Sequence, residues 1–575
     1  MYLSIFTSAI LSLSGVPIAD ETPSTIRTGY LTNEMLTERM MDLQNAHPEL
    51  VTISQYGTSR EGRPLWLANV SAEPNSESVR PALLVVAGAD ASHFVGTELA
   101  IRALESMISN HPESFKDIDV LMIPRAHPDG ADAALSATLG HATGTRRVID
   151  ADRDGLFDED PPRDINGDGI ISQMRILNSS VKDPATHLAD PADARLSIRP
   201  DRSKNDRATF RVMIEGEDSD GDGLYAEDGS GEVLLNRNFM HLWPEHSTDA
   251  GPHQVSEREA KALADLVIAH PRIIAAVVYG PHDSVISLPD SKKKDPTGRI
   301  PQELHPEDVE LQKQLAEIYT NTTGQTRSTD HSNEGSLHGW LYAHRGIPTI
   351  ATTGWGRPDP IENTDGSETP TPEDSEGSEG SEEKETERPE PRNPEEAAWL
   401  AYSDNNRNGA GFVEWTPFEH PQLGAVHIGG FTPGFMTSPP IAAINELASK
   451  HADLYRTLGA ARNRITIEGP EIESLGAGIQ RIRIALVNDG DMPTLTAMGR
   501  ESRTVRPIAV RIDVPIERIL NGSRIVLIRG LDGKGARRSI EWLIRTDDTP
   551  VTVDIDDPAN GTRTMMITPQ EGTSR

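Results

Sequence analysis

Apolar and polar positions follow two rhythms along this chain. Over residues 29–140 helical and strand-like stretches take turns. In TNEMLTERMMDLQNAHPELV the side chains of Met35, Leu36, Met40, Met41 and Leu43 share one side of a helix. VTISQYGTS and RPLWLANVS read as two short strands about a Gly-rich turn. RPALLVVAGAD is a strand, GTELAIRALESMI a helix, and IDVLMIPRAHPDGAD a strand ending in a Pro-Asp-Gly turn. The rhythm breaks over 141–235, where Asp and Gly run together, and resumes over 236–355. There REAKALADLVIAHP is a helix, RIIAAVVYGP a buried strand, DVELQKQLAEIYTNTTG a helix, and GSLHGWLYAHRGIPTIATTGWG a helix followed by a strand. Alternation of this kind predicts an α/β domain: a mixed, mostly parallel sheet flanked by helices.

The second rhythm occupies residues 464–575. RITIEGPEIESL, IQRIRIALVNDG, RPIAVRIDVP, SRIVLIRGL, SIEWLIRT, PVTVDID and TRTMMITP are short alternating strands separated by turn residues, the pattern of an antiparallel β-sandwich. Between the two regimes, residues 357–396 are Pro, Glu, Ser and Gly with almost no apolar side chain, and are expected to be disordered for want of surface to bury. A helix, PPIAAINELASKHADLYRTLGAARN, precedes the sandwich. The main domain is therefore expected over 20–455, with an Asp-rich insertion at 141–235 and an acidic loop at 357–396. Residues 1–19 read as a signal peptide: Leu3 to Val16 is apolar but too short to span a bilayer, and Ala19 is a cleavage position. The expectation is export, periplasmic or extracellular, from a bacterium, with no membrane span.

Composition narrows the chemistry. The net charge of -34 over 575 residues opposes binding to nucleic acid or to an anionic membrane surface. With no cysteine, disulfides, thiolate catalysis and Cys-ligated zinc are excluded.

Three stretches place oxygen side chains at alternate positions before a glycine. They are Asp150, Asp152 and Asp154 with Asp158 following; Asp164, Asn166 and Asp168; and Asp218, Asp220 and Asp222. A tight loop of this spacing wraps a hard cation, and calcium, which takes six to eight oxygens in loose geometry, fits it. None has the glutamate at position twelve of an EF-hand, so calcium here is expected to be structural.

The stretch GADASHFVGTE follows the buried strand Leu83–Ala87 and puts Asp90 and His93 at its end, where an α/β enzyme would hold a metal. Together with HPDG (127–130), the Asn-Arg-Asn-Phe run at 236–239, GSLHGWLYAHRGIPT and FVEWTPFEHPQLGAVHIGG, this order of motifs resembles the M14 family of zinc carboxypeptidases, in particular large secreted bacterial members with Asp-rich insertions. The resemblance covers about residues 29–455. It implies a His-x-x-Glu pair and a distant His on zinc, a glutamate base, and an Asn-Arg pair for the substrate's terminal carboxylate and oxyanion. Asn236 and Arg237 match that last pair, and Arg146 or Arg147 is placed near a further oxyanion arginine. The other positions depart: Asp90 and His93 stand for the His and Glu, Gly280 for the distant His, and Thr353 for the catalytic Glu.

Three functional readings follow. In the first, the chain is a pseudopeptidase that binds peptide or protein C-termini, or a cell-surface polymer, through Asn236 and Arg237. In the second, it is an active zinc carboxypeptidase rewired onto Asp90, His93 and His282, with Glu98 the nearest acid to serve as base. In the third, the ligands lie elsewhere, among His127, His241, His246, His253, His331 and His338.

Overall fold

The computed structural model describes residues 21–568, apart from 75, 77, 136–137, 139, 141–143, 149–154, 156, 158–159, 178–183, 220, 222, 224, 227–232, 328–332, 359–389 and 547–548. The signal-peptide expectation for 1–19 and most of the disordered loop expected at 357–396 fall outside these residues. Among the described residues no helix is long and apolar enough to cross a membrane.

Chain order begins with helix α1 (Asn33–Ala46), strands β1 (Val51–Thr58), β2 (Pro64–Val70) and β3 (Ala82–Val86), helix α2 (Phe94–Asn110), β4 (Asp119–Ile123) and α3 (Pro128–Ala134). The insertion adds β5 (Gln173–Ile176), a small β6–β7 pair (Leu188–Ala189, Ser197–Ile198) and β8 (Arg211–Ile214). Then come α4 (Arg258–Ala269), β9 (Ile273–Tyr279), α5 (Val309–Thr323), α6 (Leu337–Arg345), β10 (Thr349–Thr352), α7 (Pro394–Asn406), β11 (Phe412–His420), β12 (Gly424–Phe431) and α8 (Ile441–Ala460).

The central sheet has the order β1-β2-β4-β3-β9-β10. The pairs β4–β3, β3–β9 and β9–β10 are parallel, and β1–β2 and β2–β4 antiparallel. Both faces are covered, and the period of two shows why. In β3, Leu83 and Val85 point to the layer built with α1, α2 and α8, while Ala82, Leu84 and Val86 point to that built with α4 and α6. Each such aliphatic side chain, wholly removed from water, contributes about 1.5–3 kcal/mol. Strands β3, β4, β9 and β10 run the same way, so Asp90, His127, Gly280 and Thr353, though distant in sequence, all follow the carboxyl ends of strands at one sheet edge.

Three sequence expectations change. Pro128-Asp129-Gly130 is the first turn of α3 rather than a free turn, with Pro at a position where its missing N–H costs nothing. The Asp-rich insertion is not only loop: β5 and β8 join β11 and β12 in a four-stranded sheet ordered β11-β12-β5-β8. Helix α7 starts at Pro394, inside the stretch expected to be disordered, because Asn393 caps it by accepting from the Glu396 N–H.

The C-terminal part forms two four-stranded antiparallel sheets from β13 (Ile465–Gly476), β14 (Ile479–Asn488), β15 (Ile508–Ile512), β16 (Ile519–Asn521), β17 (Ile525–Ile528), β18 (Ala536–Arg545), β19 (Val551–Asp557) and β20 (Gly561–Ile567). Trp542 is wholly buried within it, and its indole N–H donates to the Ser523 carbonyl at 2.8 Å. A short helix, α9 (Ala497–Ser502), joins this sandwich to the main domain. Asp308, buried, accepts from the Ala497 and Met498 N–H groups at 2.7 and 3.1 Å and from the Tyr342 hydroxyl at 2.7 Å. Because that carboxylate serves both sides of the junction, Asp308→Ala should lower the resistance to urea by about 2 kcal/mol, measured by equilibrium unfolding; an unchanged midpoint would refute the junction's role.

Candidate functional site

The turn after β3 is closed by the His93 N–H donating to the Asp90 carbonyl at 3.1 Å. It leaves the Asp90 side chain partly exposed at the sheet edge. The Asn236 amide donates to Asp90 Oδ2 at 2.9 Å, and its carbonyl oxygen accepts from the Leu337 N–H at 2.9 Å. Asn236 therefore ties the end of β3 to the start of α6. Gly280, just past β9, faces the same carboxylate: a Cβ built there would lie 2.6 Å from Asp90 Oδ2 and 3.4 Å from the Asn236 amide nitrogen. The Asp90 carboxylate thus fills the space into which any side chain at 280 would have to grow. Surrounding protein raises the Asp90 carboxyl to about 6 by desolvation, against the Asn236 hydrogen bond, which lowers it.

The remaining sequence-selected residues do not gather round that carboxylate. His93 is buried at the N-terminus of α2, its ring beside Gly96. Glu98 lies inside α2 and accepts from the Leu31 N–H at 2.7 Å and from Arg102 at 2.8 Å, so its charge holds the N-terminal segment instead of facing the site. His282 packs against His338, ring centroids 5.1 Å apart. The Thr353 hydroxyl donates to the Trp355 carbonyl at 2.8 Å. Among the described residues no three His, Asp or Glu side chains converge as metal ligands. Asp90, His93 and His282 accordingly form no such group in this structure. The described alternatives fare no better: His127 caps α3 by accepting from the Gly130 N–H, His241 donates to the Gln302 carbonyl, and His338 donates to Asn333. His246 and His253 join no such cluster, and His331 lies outside the described residues.

Zinc does not fit these side chains. Gly280 offers no ligand atom, Asp90 completes no three-ligand group among the described residues, and a threonine hydroxyl cannot serve as a base near neutral pH.

The Asn-Arg-Asn-Phe run is a structural hub. Asn238 donates to the Ala250 carbonyl and the Ser256 hydroxyl and accepts from the Glu257 N–H. Phe239 stacks on Trp340 at 6.0 Å. Arg237 is held between acids, 3.1 Å from Asp249 and 3.7 Å from Glu334. Arg147 pairs with buried Glu257 at 2.7 Å, which Arg60 also reaches at 2.8 Å; these arginines hold the Glu257 carboxyl below its usual range despite its burial.

Sequence reasoning missed the polar chain beneath the site. The Tyr279 hydroxyl lies 2.8 Å from His451 Nδ1 and 2.7 Å from the Tyr455 hydroxyl, and His451 Nε2 donates to the Gly354 carbonyl at 3.0 Å. That donation leaves Nδ1 to accept from Tyr279, whose oxygen then accepts from Tyr455. The Thr352 hydroxyl donates to Tyr319 at 2.6 Å and accepts from the Gly354 N–H. The signal was present: Tyr279 closes an otherwise aliphatic strand, and His451 and Tyr455 sit on the apolar stripe of α8 with Ile444 and Ala448.

In two Asp-rich stretches the first aspartate accepts from two glycine N–H groups. Asp164 accepts from the Gly167 and Gly169 N–H groups at 2.7 and 2.8 Å, and Asp218 from those of Gly221 and Gly223 at 2.6 and 3.1 Å. Asn166 and Asp168 bond to one another, amide to carboxylate, at 3.0 Å. The calcium positions Asp150, Asp152, Asp154, Asp158, Asp220 and Asp222 lie outside the described residues.

In comparison with known proteins, residues 36–162 match the family model described as Zinc carboxypeptidase, and residues 464–568 match one described as a domain of unknown function (DUF8731). Carboxypeptidase D of Anas platyrhynchos is 31% identical over 128 residues, 20% of this chain and 9% of its own length. A zinc carboxypeptidase of Saccharothrix mutabilis subsp. capreolus is 24% identical over 111 residues, 18% of this chain and 26% of its own. The chain thus spans about a tenth of the length of the first of these relatives. Among solved structures, bovine thrombin-activatable fibrinolysis inhibitor in complex with tick carboxypeptidase inhibitor matches at 16% identity and TM-score 0.33, over 56% of this chain and 86% of that one. Carboxypeptidase A from Helicoverpa armigera matches at 13% and 0.35, over 58% and 67%.

Two predictions follow from this geometry. Gly280→Ala should destabilise the chain by about 1–3 kcal/mol through the contact with Asp90, and the cost should shrink in the background of Asp90→Ala; equal costs in both backgrounds, by urea unfolding, would refute the contact. The second concerns pH. Burial lowers His127, His241 and His451 to about 4. Their folded pKa is depressed, so the unfolded chain takes up protons first as pH falls through about 6.5. Their contribution is complete above that pH and is lost towards 4, by up to about 1.4 kcal/mol per pH unit for each histidine. Asp90 and Glu259, both raised by burial, bind protons in the folded chain and offset part of this loss, Asp90 only below about 6. The urea midpoint should therefore drop between pH 7 and 6; a level or rising midpoint there would contradict the assignment.

Proposed function

We propose that this chain, an M14 carboxypeptidase-like protein, is a scaffold that holds ligands at the sheet edge without hydrolysing them. The observation that carries this reading is the Asp90–Asn236 hydrogen bond at 2.9 Å, lodged against Gly280 where a ligand histidine would be required. The family reaction needs a metal to polarise the scissile carbonyl and a carboxylate to activate water. Among the described residues neither role has an occupant: no three-ligand group forms at Asp90, and Thr353 stands where the resemblance expects the base. What remains is a sheet edge with a defined shape. Asn236 and Arg237 persist but are engaged within the protein, Asn236 by Asp90 and Leu337 and Arg237 by Asp249 and Glu334, so a peptide or surface polymer would be held beside Asp90 and not by an open arginine. Structural calcium in the insertion rests on the Asp spacing of the sequence, and export on the apolar N-terminal stretch.

One measurement separates this reading from a zinc enzyme. Elemental analysis of the full chain after exhaustive dialysis should find calcium and no stoichiometric zinc, and peptides with free C-termini should survive prolonged incubation with added zinc, as followed by mass spectrometry. About one zinc per chain, together with release of C-terminal residues, would overturn it.

A further inference from the structure

The site's electrostatics are reversed relative to what a terminal carboxylate requires. Arg237, the group that would bind that carboxylate, is neutralised by Asp249 at 3.1 Å and Glu334 at 3.7 Å. A ligand anion would have to displace a carboxylate already in place. Asp90 is in the opposite situation. Among the described residues its carboxylate has one partner, the neutral amide of Asn236 on Oδ2, and no arginine, lysine or histidine pairs with it. It is partly exposed at the carboxyl end of β3, where ligands of open α/β sheets bind. A carboxylate taken largely out of water and left without a counter-ion is costly, and a cation that reaches it recovers that cost.

We infer that Asp90 is the receptor for a cationic group, the ammonium or guanidinium of a basic peptide or polyamine, which sits where a metal would otherwise be expected. This rests on the non-hydrolysing reading above and names its ligand class. Asn236 positions the carboxylate by fixing Oδ2, and Gly280 keeps room for it, since a Cβ there would press on Oδ2 at 2.6 Å. Long-range charge acts in the same direction. Acidic and basic side chains are equal in number over 464–575, so the whole net charge of -34 resides on residues 1–463. A field of that sign concentrates cations near the surface and speeds their capture.

The test compares acetyl-Gly-Gly-Lys with its Nε-acetylated form by isothermal titration against the full-length chain, dialysed against chelator. The two peptides share a backbone and a terminal carboxylate and differ in the cation. The free lysine should bind about tenfold or more tightly, and spermidine should compete with it. In Asp90→Asn, which preserves the side-chain volume and can still accept from Asn236, the ratio should fall to about one. A ratio near one in the unaltered chain, or no binding of either peptide, would overturn the inference with no variant needed. A ratio unaffected by Asp90→Asn would overturn the assignment to Asp90. Mass analysis of the same samples keeps the two conclusions apart: cleavage of the peptides would sink the non-hydrolysing reading, whereas an uncleaved pair of equal affinity would sink the cation receptor alone.

Discussion

The carboxamide of Asn236 holds the sheet edge together. Its two ends serve two segments far apart in sequence: the amide donates to Asp90 after β3, and the carbonyl accepts from Leu337 at the start of α6. Buried amide groups cost free energy unless both ends are satisfied, so the carboxylate of Asp90 and the first turn of α6 are specified together. Gly280 follows from the same constraint, since the space a side chain would need is already occupied by Asp90. Truncating Asp90 or Asn236 alone leaves an unpaired group, and a side chain added at 280 alone meets Asp90.

Beneath this edge lies a second set of coupled polar groups. Tyr279, His451, Tyr455 and the Gly354 carbonyl form a buried hydrogen-bonded chain whose proton directions are determined by the one group that can only accept. It pins α8 to the ends of β9 and β10, and with Thr352 and Tyr319 it sets the loop that carries Thr353. Each member of this chain is paired, which gives the layer beneath the sheet edge a defined shape.

Much of the fold was legible in the sequence. The unbroken apolar runs Leu83–Val86 and Ile273–Tyr279, separated by amphipathic helices, specify strands covered on both faces, and the alternating strands after residue 464 specify the sandwich. The insertion was harder to read. Gln173–Ile176 and Arg211–Ile214 are too short to stand out from their Asp-rich flanks, and they become strands because β12 supplies an edge for β5 and β5 in turn one for β8. The helix at Pro394 was hidden by the acidic stretch before it, although its cap, Asn393, was plain in the sequence.

For the site, the sequence by itself determined which atoms exist: a carboxylate at 90, no side chain at 280, a hydroxyl at 353. The ligand set that the resemblance implies asks for a donor atom that Gly280 does not carry, because coordination needs donor atoms whatever the fold. The tertiary structure decided where the remaining donors point. His282 and Asp90 were close enough in expectation to share a metal, yet His282 turns to His338 and Asp90 to Asn236. Glu98 was equally available until its burial in α2 committed it to Leu31 and Arg102. Side-chain direction depends on packing between segments hundreds of residues apart, and no local pattern encodes it.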